Sequence, residues 1–219
     1  MSEYPISSKN KVKRVPKRGH YDRKTIYSIL DASFLCHLGF VVNGQPFVIP
    51  TSYGRDGNKI YLHGATTSRM MVNMEKGLPI CLTVTHLDGL VLARSAFHHS
   101  MNYRSAVCFG TAKKIESKKE KDAALFCFME HMMKGRWDGI REMTEEEYNR
   151  TLTIEMTIET ASAKVRDVGV ADEPEDYDLD VWAGLMPIKQ IAEYPIADEG
   201  KPEKMEIPKH ILDYYEQNK

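Results

Sequence analysis

The chain lacks the features of a membrane protein, an exported protein or a nucleic-acid-binding protein. No apolar run approaches the roughly 20 residues that a membrane-spanning helix needs, and the N-terminus carries no apolar segment of the kind that directs secretion. The formal net charge is −1 and the pI is near 6.7, so no overall field attracts nucleic acid or a membrane surface. We therefore expect a cytoplasmic protein with no membrane or nucleic-acid partner.

The sequence also lacks a cysteine pair and a familiar catalytic motif. Four cysteines are scattered without C-x-x-C spacing, which favours reduced, buried thiols over a disulfide or zinc site. These are Cys36, Cys81, Cys108 and Cys127. No G-x-S-x-G, Walker loop, H-E-x-x-H or G-x-G-x-x-G occurs, which argues against a nucleophile–base hydrolase. If the protein is an enzyme, its chemistry should come from a bound cofactor, and no metal site is expected.

What the chain does contain is a succession of short strands. Its 219 residues suffice for one domain with a full core. Turn signals at Asn43-Gly44 and Asp88-Gly89 separate strand-like runs. Strands are predicted over residues 33–42, 45–53, 59–63, 78–86, 90–97, 103–116 and 152–160. Helices are predicted over residues 22–30 and 118–133, and from residues 68 and 144 onward. The first six of these strands follow one another with short antiparallel connections, which favours a mainly β barrel with peripheral helices.

The two ends differ in composition from the middle. Residues 1–19 are basic and contain proline, which is typical of a solvated tail; a nuclear address or a nucleic-acid arm is the alternative. The acidic residues 171–180 predict an exposed loop. They lead into residues 181–187, which are too apolar for a free tail. We divide the chain into a basic tail (1–19), a main domain (20–190) and a C-terminal extension (191–219).

Residues 58–77 carry the strongest functional pattern. A strand ending at His63 is followed by Gly64 and Ala65, which leave the backbone uncovered for a ligand. A helix then begins near Ser68, with Gly77 as its C-cap. Free N–H groups at a helix start attract anions, and Ser68 and Arg69 add a hydroxyl and a guanidinium suited to phosphate. An ordinary capped surface helix explains these residues equally well.

Three further segments are candidates for a site. Pro50 removes one hydrogen-bond donor from a strand, so this edge either faces a ligand or simply lacks a partner. Residues 94–105 place hydroxyls, amides, two His and two Arg between apolar strands, which favours a site with Arg104 as a second phosphate contact. Trp182 either stacks on a planar ligand or anchors packing.

The histidines do not have metal-ligand spacing. His98 and His99 are adjacent, and on a strand they would point to opposite faces, which argues against zinc. His63 at the end of a strand is compatible with a hydrogen-bonded core histidine.

Several strings in order resemble one known family. They are residues 20–23, 39–40 with 46–50, 62–65 with 68–69, 83–95, 99–105 and 182–187. In this order they resemble the pyridoxamine 5′-phosphate oxidase-like, FMN-binding split-barrel superfamily, in its nitroimidazole-resistance-related, flavin-nucleotide-binding branch. Each string is weak alone, but the ordered set spans about residues 14–190, most of the chain.

The resemblance implies a six-stranded antiparallel Greek-key split barrel and a homodimer with two FMN sites at its interface. It places Ser68 and Arg69 on the phosphate and makes His63 a catalytic residue or a substrate contact. The remaining residues that it would place around the flavin are Pro50, Thr51, His63, Gly64, Thr83, Val84, Thr85, Asn102, Tyr103, Arg104 and Trp182.

One departure from the family pattern bears on the reaction. Oxidases acting on pyridoxamine phosphate have an Arg near the C-terminal Trp, whereas residues 182–187 here contain none, which argues against vitamin B6 oxidase activity. The first hypothesis is therefore an FMN-dependent oxidoreductase acting on another small molecule. A flavin carrier or redox sensor without turnover is the second, and a haem- or deazaflavin-binding protein is the third.

Overall fold

The computed structural model describes residues 2–200 and 206–219, and the protein is built mainly from antiparallel strands. The strands are β1 (Gly19–His20), β2 (Leu35–Val42), β3 (Gln45–Ser52), β4 (Gly54–Asp56), β5 (Lys59–Ala65), β6 (Pro79–Leu92), β7 (Ser100–Lys114), β8 (Thr151–Thr157), β9 (Thr160–Arg166) and β10 (Gly184–Pro187). The helices are α1 (Arg23–Asp31), α2 (Arg69–Met74), α3 (Lys118–Met132), α4 (Glu145–Asn149) and α5 (Lys209–Asn218). The prediction of a mainly β split barrel with peripheral helices is confirmed, although the count of six strands is not.

Two long strands, β6 and β7, organise the sheet. They pair with each other along one edge, and along its other edge each pairs with two shorter strands in succession. They pair with each other from Pro79 opposite Thr111 to Val91 opposite Ser100. The other edge of β6 pairs first with β2 and then with β10. The other edge of β7 pairs first with β9 and then with β8, which continues to β5 and β4. The sheet therefore curves around one apolar core and splits where these partners change.

Local chemistry sets several element boundaries as predicted. The carboxylate of Asp22 caps α1 by accepting a hydrogen bond from Thr25 N at 2.8 Å. Asn43 and Gly44 have φ of 51° and 80°, the left-handed pair that a tight hairpin turn between β2 and β3 requires. Thr144 opens α4 with the predicted capping box.

The predicted hairpin turn at Asp88-Gly89 is wrong. One strand, β6, runs straight through both residues, and its register with β7 shifts between Leu87 and Gly89 as in a β-bulge. The strand continues to Leu92, and residues 93–97, which had been predicted as part of a separate strand, belong to the connection before β7. The sequence pattern also missed β1, β4, β9, β10 and α5.

The N-terminal segment packs in part on the barrel. Tyr4 and Asn10 are buried, and the Asn10 amide donates to the carbonyl of Ala161 in β9 at 2.9 Å. Across residues 2–200 and 206–219, no helix has the length and apolar character needed to cross a membrane.

Candidate functional site

The predicted phosphate segment lies where β5 ends and α2 begins. Ser68 is the N-cap of α2, and its hydroxyl makes no capping hydrogen bond within the described residues. The exposed Arg69 guanidinium lies 4.8 Å from the ring centre of Phe47 in β3 and pairs with no carboxylate of the described chain. Since α2 has only six residues, any attraction for an anion rests on these two side chains.

Gly64 allows β5 and α2 to pack closely against each other. A Cβ built on Gly64 would lie 2.9 Å from Cγ of Met71, a buried residue of α2. The absence of a side chain therefore lets α2 lie against β5, whereas the sequence had suggested that it left room for a ligand.

His63 faces α3 from the middle of β5. Its ring meets the ring of Phe128 edge-on with centres 4.2 Å apart, and Nδ1 is buried without a hydrogen-bond partner among the described residues. Burial lowers the pKa of His63. This histidine is therefore held as a neutral imidazole that can donate or accept one hydrogen bond but does not supply a positive charge.

A row of paired residues crosses β3, β2 and β6 on the outer face of the sheet. Pro50 pairs with His37, and His37 pairs with Thr83. Pro50 and His37 are exposed and Thr83 is half-buried, and Thr85 lies farther along the same face of β6. The structure thus brings Pro50 and the two threonines onto one open surface.

Two of the predicted flavin contacts point the other way. Val84, between the threonines, is 1% exposed and packs in the core, so only its backbone can reach a ligand. Thr51 pairs with the buried Cys36, and its carbonyl accepts a hydrogen bond from the Cys36 thiol at 3.3 Å.

The predicted contacts on β7 already have protein partners. Asn102 is buried, and its amide oxygen accepts from the guanidinium of Arg166 in β9. Arg104 makes a two-pronged ion pair with Asp88 at 3.0 and 2.8 Å, and this hydrogen bonding raises the pKa of Arg104. For Arg104 to hold a phosphate, this ion pair would have to open.

Tyr103, the third predicted contact on β7, pairs with Leu87 of β6 and Arg166 of β9 and lines a separate cleft. Basic side chains that the sequence had not connected with a site share this cleft with Tyr103. Arg166 could not be placed there from sequence because the strand that carries it, β9, was missed.

Trp182 lies far from the Pro50–Thr83 surface within one chain. It is 69% exposed, and its ring covers Gly184 at the start of β10. Gly184 pairs with Leu92, nine positions along β6 from Thr83, which corresponds to roughly 30 Å at the rise of a strand. One chain therefore does not bring Trp182 to the surface that carries Pro50 and Thr83.

The fold and most of the chain agree with known flavin-binding proteins. One similar structure is the flavocytochrome Anf3 from Azotobacter vinelandii, which is 36% identical and superposes with a TM-score of 0.89. The match covers 95% of this chain and 97% of the Anf3 chain. The FAD- and haem-binding protein from Mycobacterium smegmatis is 28% identical, with a TM-score of 0.87 and coverage of 90% and 97%.

A third similar structure supports the fold alone. It is described as a 5-nitroimidazole antibiotic resistance protein from Bacteroides thetaiotaomicron, with 22% identity, a TM-score of 0.56, and coverage of 78% of this chain and 90% of its own. No match was found among curated proteins. The family model for pyridoxamine 5′-phosphate oxidase matches residues 22–165. Since this match spans well over half of the chain, the protein belongs to the pyridoxamine 5′-phosphate oxidase family.

Proposed function

We propose that this protein is a flavin-binding redox protein whose phosphate contact is Arg69. The observation that carries the proposal is the exposed Arg69 guanidinium, held over Phe47 beside the unbonded hydroxyl of Ser68 and paired with no described carboxylate. A fixed, unpaired guanidinium beside a hydroxyl is well suited to a phosphate monoester or diester. The similar flavin-binding proteins support a flavin as the bearer of that phosphate.

FMN is the simplest flavin for this site, because Ser68 and Arg69 supply one phosphate contact. FAD is the alternative favoured by the protein from Mycobacterium smegmatis, which is described as binding it. When bound, the flavin would supply the electron-transfer chemistry. Of the chain's own residues, Pro50 and Thr83 would border the ring. The neutral His63, which packs against Phe128, would supply neither a general base nor a cation.

A homodimer forms the second part of the proposal. Trp182 and the Pro50–Thr83 surface lie roughly 30 Å apart along one chain, so only a second copy would bring a Trp182 to a flavin held at that surface. The exposed apolar side chains of the C-terminal segment, including Leu185 and Met186, support a contact between copies.

A haem is the third part of the proposal. Two proteins that share 36% and 28% identity over nearly all of this chain are described as a flavocytochrome and an FAD- and haem-binding protein. Residues 94–105, which the sequence marked as a site, include two histidines that lie outside the proposed flavin surface. We therefore propose that the same redox protein also binds a haem.

The absorption spectrum of the purified protein tests the proposal, with mass identification of whatever heating releases. Flavin bands together with released FMN or FAD support the flavin assignment, and a Soret band supports the haem. A colourless protein that takes up neither added flavin nor added haem contradicts the proposal while leaving the fold intact.

A kinetic measurement distinguishes an enzyme from a carrier or sensor. Steady-state oxidation of NADH or NADPH with oxygen or a nitroaromatic acceptor would show turnover. If the flavin-loaded protein shows no turnover with any of these acceptors, it is a carrier or sensor.

A further inference from the structure

A cleft of about 440 Å³ lies away from Arg69, between the N-terminal segment, the connection after β6 and the ends of β7 and β9. Its volume falls in the range of roughly 300–1,000 Å³ that is usual for small-molecule sites. Of the flavin contacts that the sequence predicted, only Tyr103 lines this cleft.

The cleft carries positive charge that the described chain does not neutralise. Arg14, Arg18, Lys164 and Arg166 line it, no carboxylate does so within residues 2–200 and 206–219, and none of the four forms an ion pair there. The first two acids after Ala171 are already engaged, since Asp172 pairs with Arg94 and Glu173 lies against His98. An anion in the cleft would therefore meet four unpaired cations.

The surroundings of Arg166 indicate that the unpaired positive charge of the cleft destabilises the folded chain when no ligand is bound. Its side chain is only 5% exposed, yet its described partners are the neutral oxygens of Asn102, Val168 and Gly169, and its Nε has none. Burial and the nearby charge of Arg18 lower the pKa of Arg166. A buried cation without a counter-ion is expensive, so an anionic ligand would relieve this arrangement.

The same cleft presents a histidine oriented as a metal ligand. The ring Nδ1 of His99 lies 2.9 Å from the carbonyl oxygen of Ser95, and because a carbonyl only accepts, Nδ1 carries the proton. Nε2 is then the unprotonated nitrogen with a free lone pair, on an exposed ring. A backbone carbonyl bonded to one ring nitrogen is the arrangement that commonly orients the other toward a metal. His98 differs, since its Nε2 lies 3.4 Å from Glu173.

Apolar side chains also line the cleft. Phe97 is 88% exposed and Met101 is 50% exposed, and both line the cleft beside His99. Together they give the basic cleft an apolar surface that a ligand could cover. A flat, apolar ligand with acidic groups and a metal centre would satisfy the aromatic ring, the cations and the imidazole together.

We propose that this cleft binds haem, with Nε2 of His99 as an axial ligand and with Arg18, Lys164 and Arg166 facing the two propionates. The proposal rests on the haem part of the proposed function and deepens it by assigning the site. It leaves the flavin at Arg69, so the two cofactors occupy different surfaces of the chain.

Titration of the purified full-length protein with hemin tests the axial ligand. For the wild type we expect a Soret band and an electron paramagnetic resonance spectrum of histidine-ligated haem. His99→Ala should weaken hemin binding at least tenfold and lose that spectrum, and added imidazole should restore the Soret position. His98→Ala, at the neighbouring position, should keep both. Loss of the spectrum in His98→Ala but not in His99→Ala would overturn the assignment of the ligand.

A second titration tests the cations. Lys164→Ala and Arg18→Ala should weaken hemin binding about tenfold but leave binding of hemin dimethyl ester unchanged, because the ester lacks the propionate charges. Equal weakening for hemin and its ester would overturn the propionate contacts. A melting temperature no lower than that of the wild type, together with unchanged flavin uptake, establishes that the variants are folded.

The outcomes also separate this inference from the proposed function. A wild type that takes up no hemin contradicts the haem part of the proposed function. Histidine-ligated haem that persists in His99→Ala contradicts only the site.

Discussion

Arg69 is an exposed residue whose charge is unpaired within the described chain. Its guanidinium lies over the face of Phe47, 4.8 Å from the ring centre, and this cation–π contact restrains the side chain. Restraining the side chain before a ligand arrives reduces the entropy lost on binding. This one residue should therefore account for much of the affinity for the flavin phosphate.

Replacing Arg69 by Ala should weaken flavin binding by about 1.5–3 kcal/mol, the loss expected for a charge-assisted hydrogen bond. Fluorescence titration of the apoprotein with FMN and FAD measures this change. Lys134→Ala is the matched control, because Lys134 is exposed and lies after α3, away from α2. Unchanged flavin affinity in Arg69→Ala would exclude this residue as the phosphate contact.

His63 couples folding to pH through its buried ring. Burial lowers its pKa in the folded protein, so below about pH 6.5, the ordinary value for histidine, the unfolded chain binds the proton more readily. Stability should therefore fall as the pH drops below this value. His63→Leu removes the titrating group while preserving apolar contact with Phe128.

Urea unfolding of both proteins at pH 7.5 and pH 5.5 measures this effect. The loss of unfolding free energy between the two pH values should be smaller for His63→Leu than for the wild type. Equal losses in the two proteins would show that His63 does not titrate differently in the folded and unfolded states.

Strand β7 changes partners at a single glycine. It pairs with β9 up to Phe109 and with β8 from Ala112, and Gly110 lies between these two segments. A Cβ built on Gly110 would clash with the carbonyl oxygen of Thr157 and lie 2.7 Å from Cγ of Met156. The split of the barrel at this point thus depends on a residue without a side chain.

Gly110→Ala should lower the unfolding free energy by about 1–3 kcal/mol, as overpacking of a tight interior does. Gly39→Ala is a matched control on β2, because its nearest neighbour would be the Cys81 carbonyl oxygen at an ordinary 3.5 Å. Urea denaturation of the two variants measures the difference. A loss in Gly39→Ala as large as that in Gly110→Ala would contradict the steric explanation.

Elements with strong local signals were predictable, and those defined by distant partners were not. Asp22, Asn43-Gly44 and Thr144 act through nearby backbone groups, so sequence alone located their cap or turn. Asp88-Gly89 carries an equally strong turn signal, but pairing with both β7 and β10 holds the chain extended there. Tertiary pairing overrode local preference at that point.

The candidate site shows the same division. Ser68 and Arg69 are adjacent in sequence and were found together, whereas the contact of Arg69 with Phe47 depends on how β3 and α2 meet. Arg104 looked like a free cation because its partner Asp88 had been assigned to a turn. The basic cleft could not be predicted, because Arg166 lies on a strand that the pattern missed.

At the scale of the whole molecule, the outer face that carries Pro50 and His37 is also unusually apolar. Val48 and Val41 alternate on this face and are 68% and 54% exposed. The extended C-terminal segment adds further exposed apolar groups. Apolar area of this kind on both sides of a proposed cofactor surface favours contact with a second copy of the chain.

If two copies enclose the flavin, dimer formation and flavin binding should be thermodynamically linked. Light scattering of the loaded protein should give twice the 25.0 kDa chain mass, and dilution should release flavin as that mass falls. Val48→Lys should raise the dimer dissociation constant by roughly a hundredfold or more, because it buries an unpaired charge, and should lower flavin occupancy in parallel. Ile6→Lys replaces an apolar residue that is 59% exposed on the N-terminal segment and should change neither quantity. A monomer that keeps its flavin at every dilution would instead place the whole site in one chain, and Trp182 could then have no part in it.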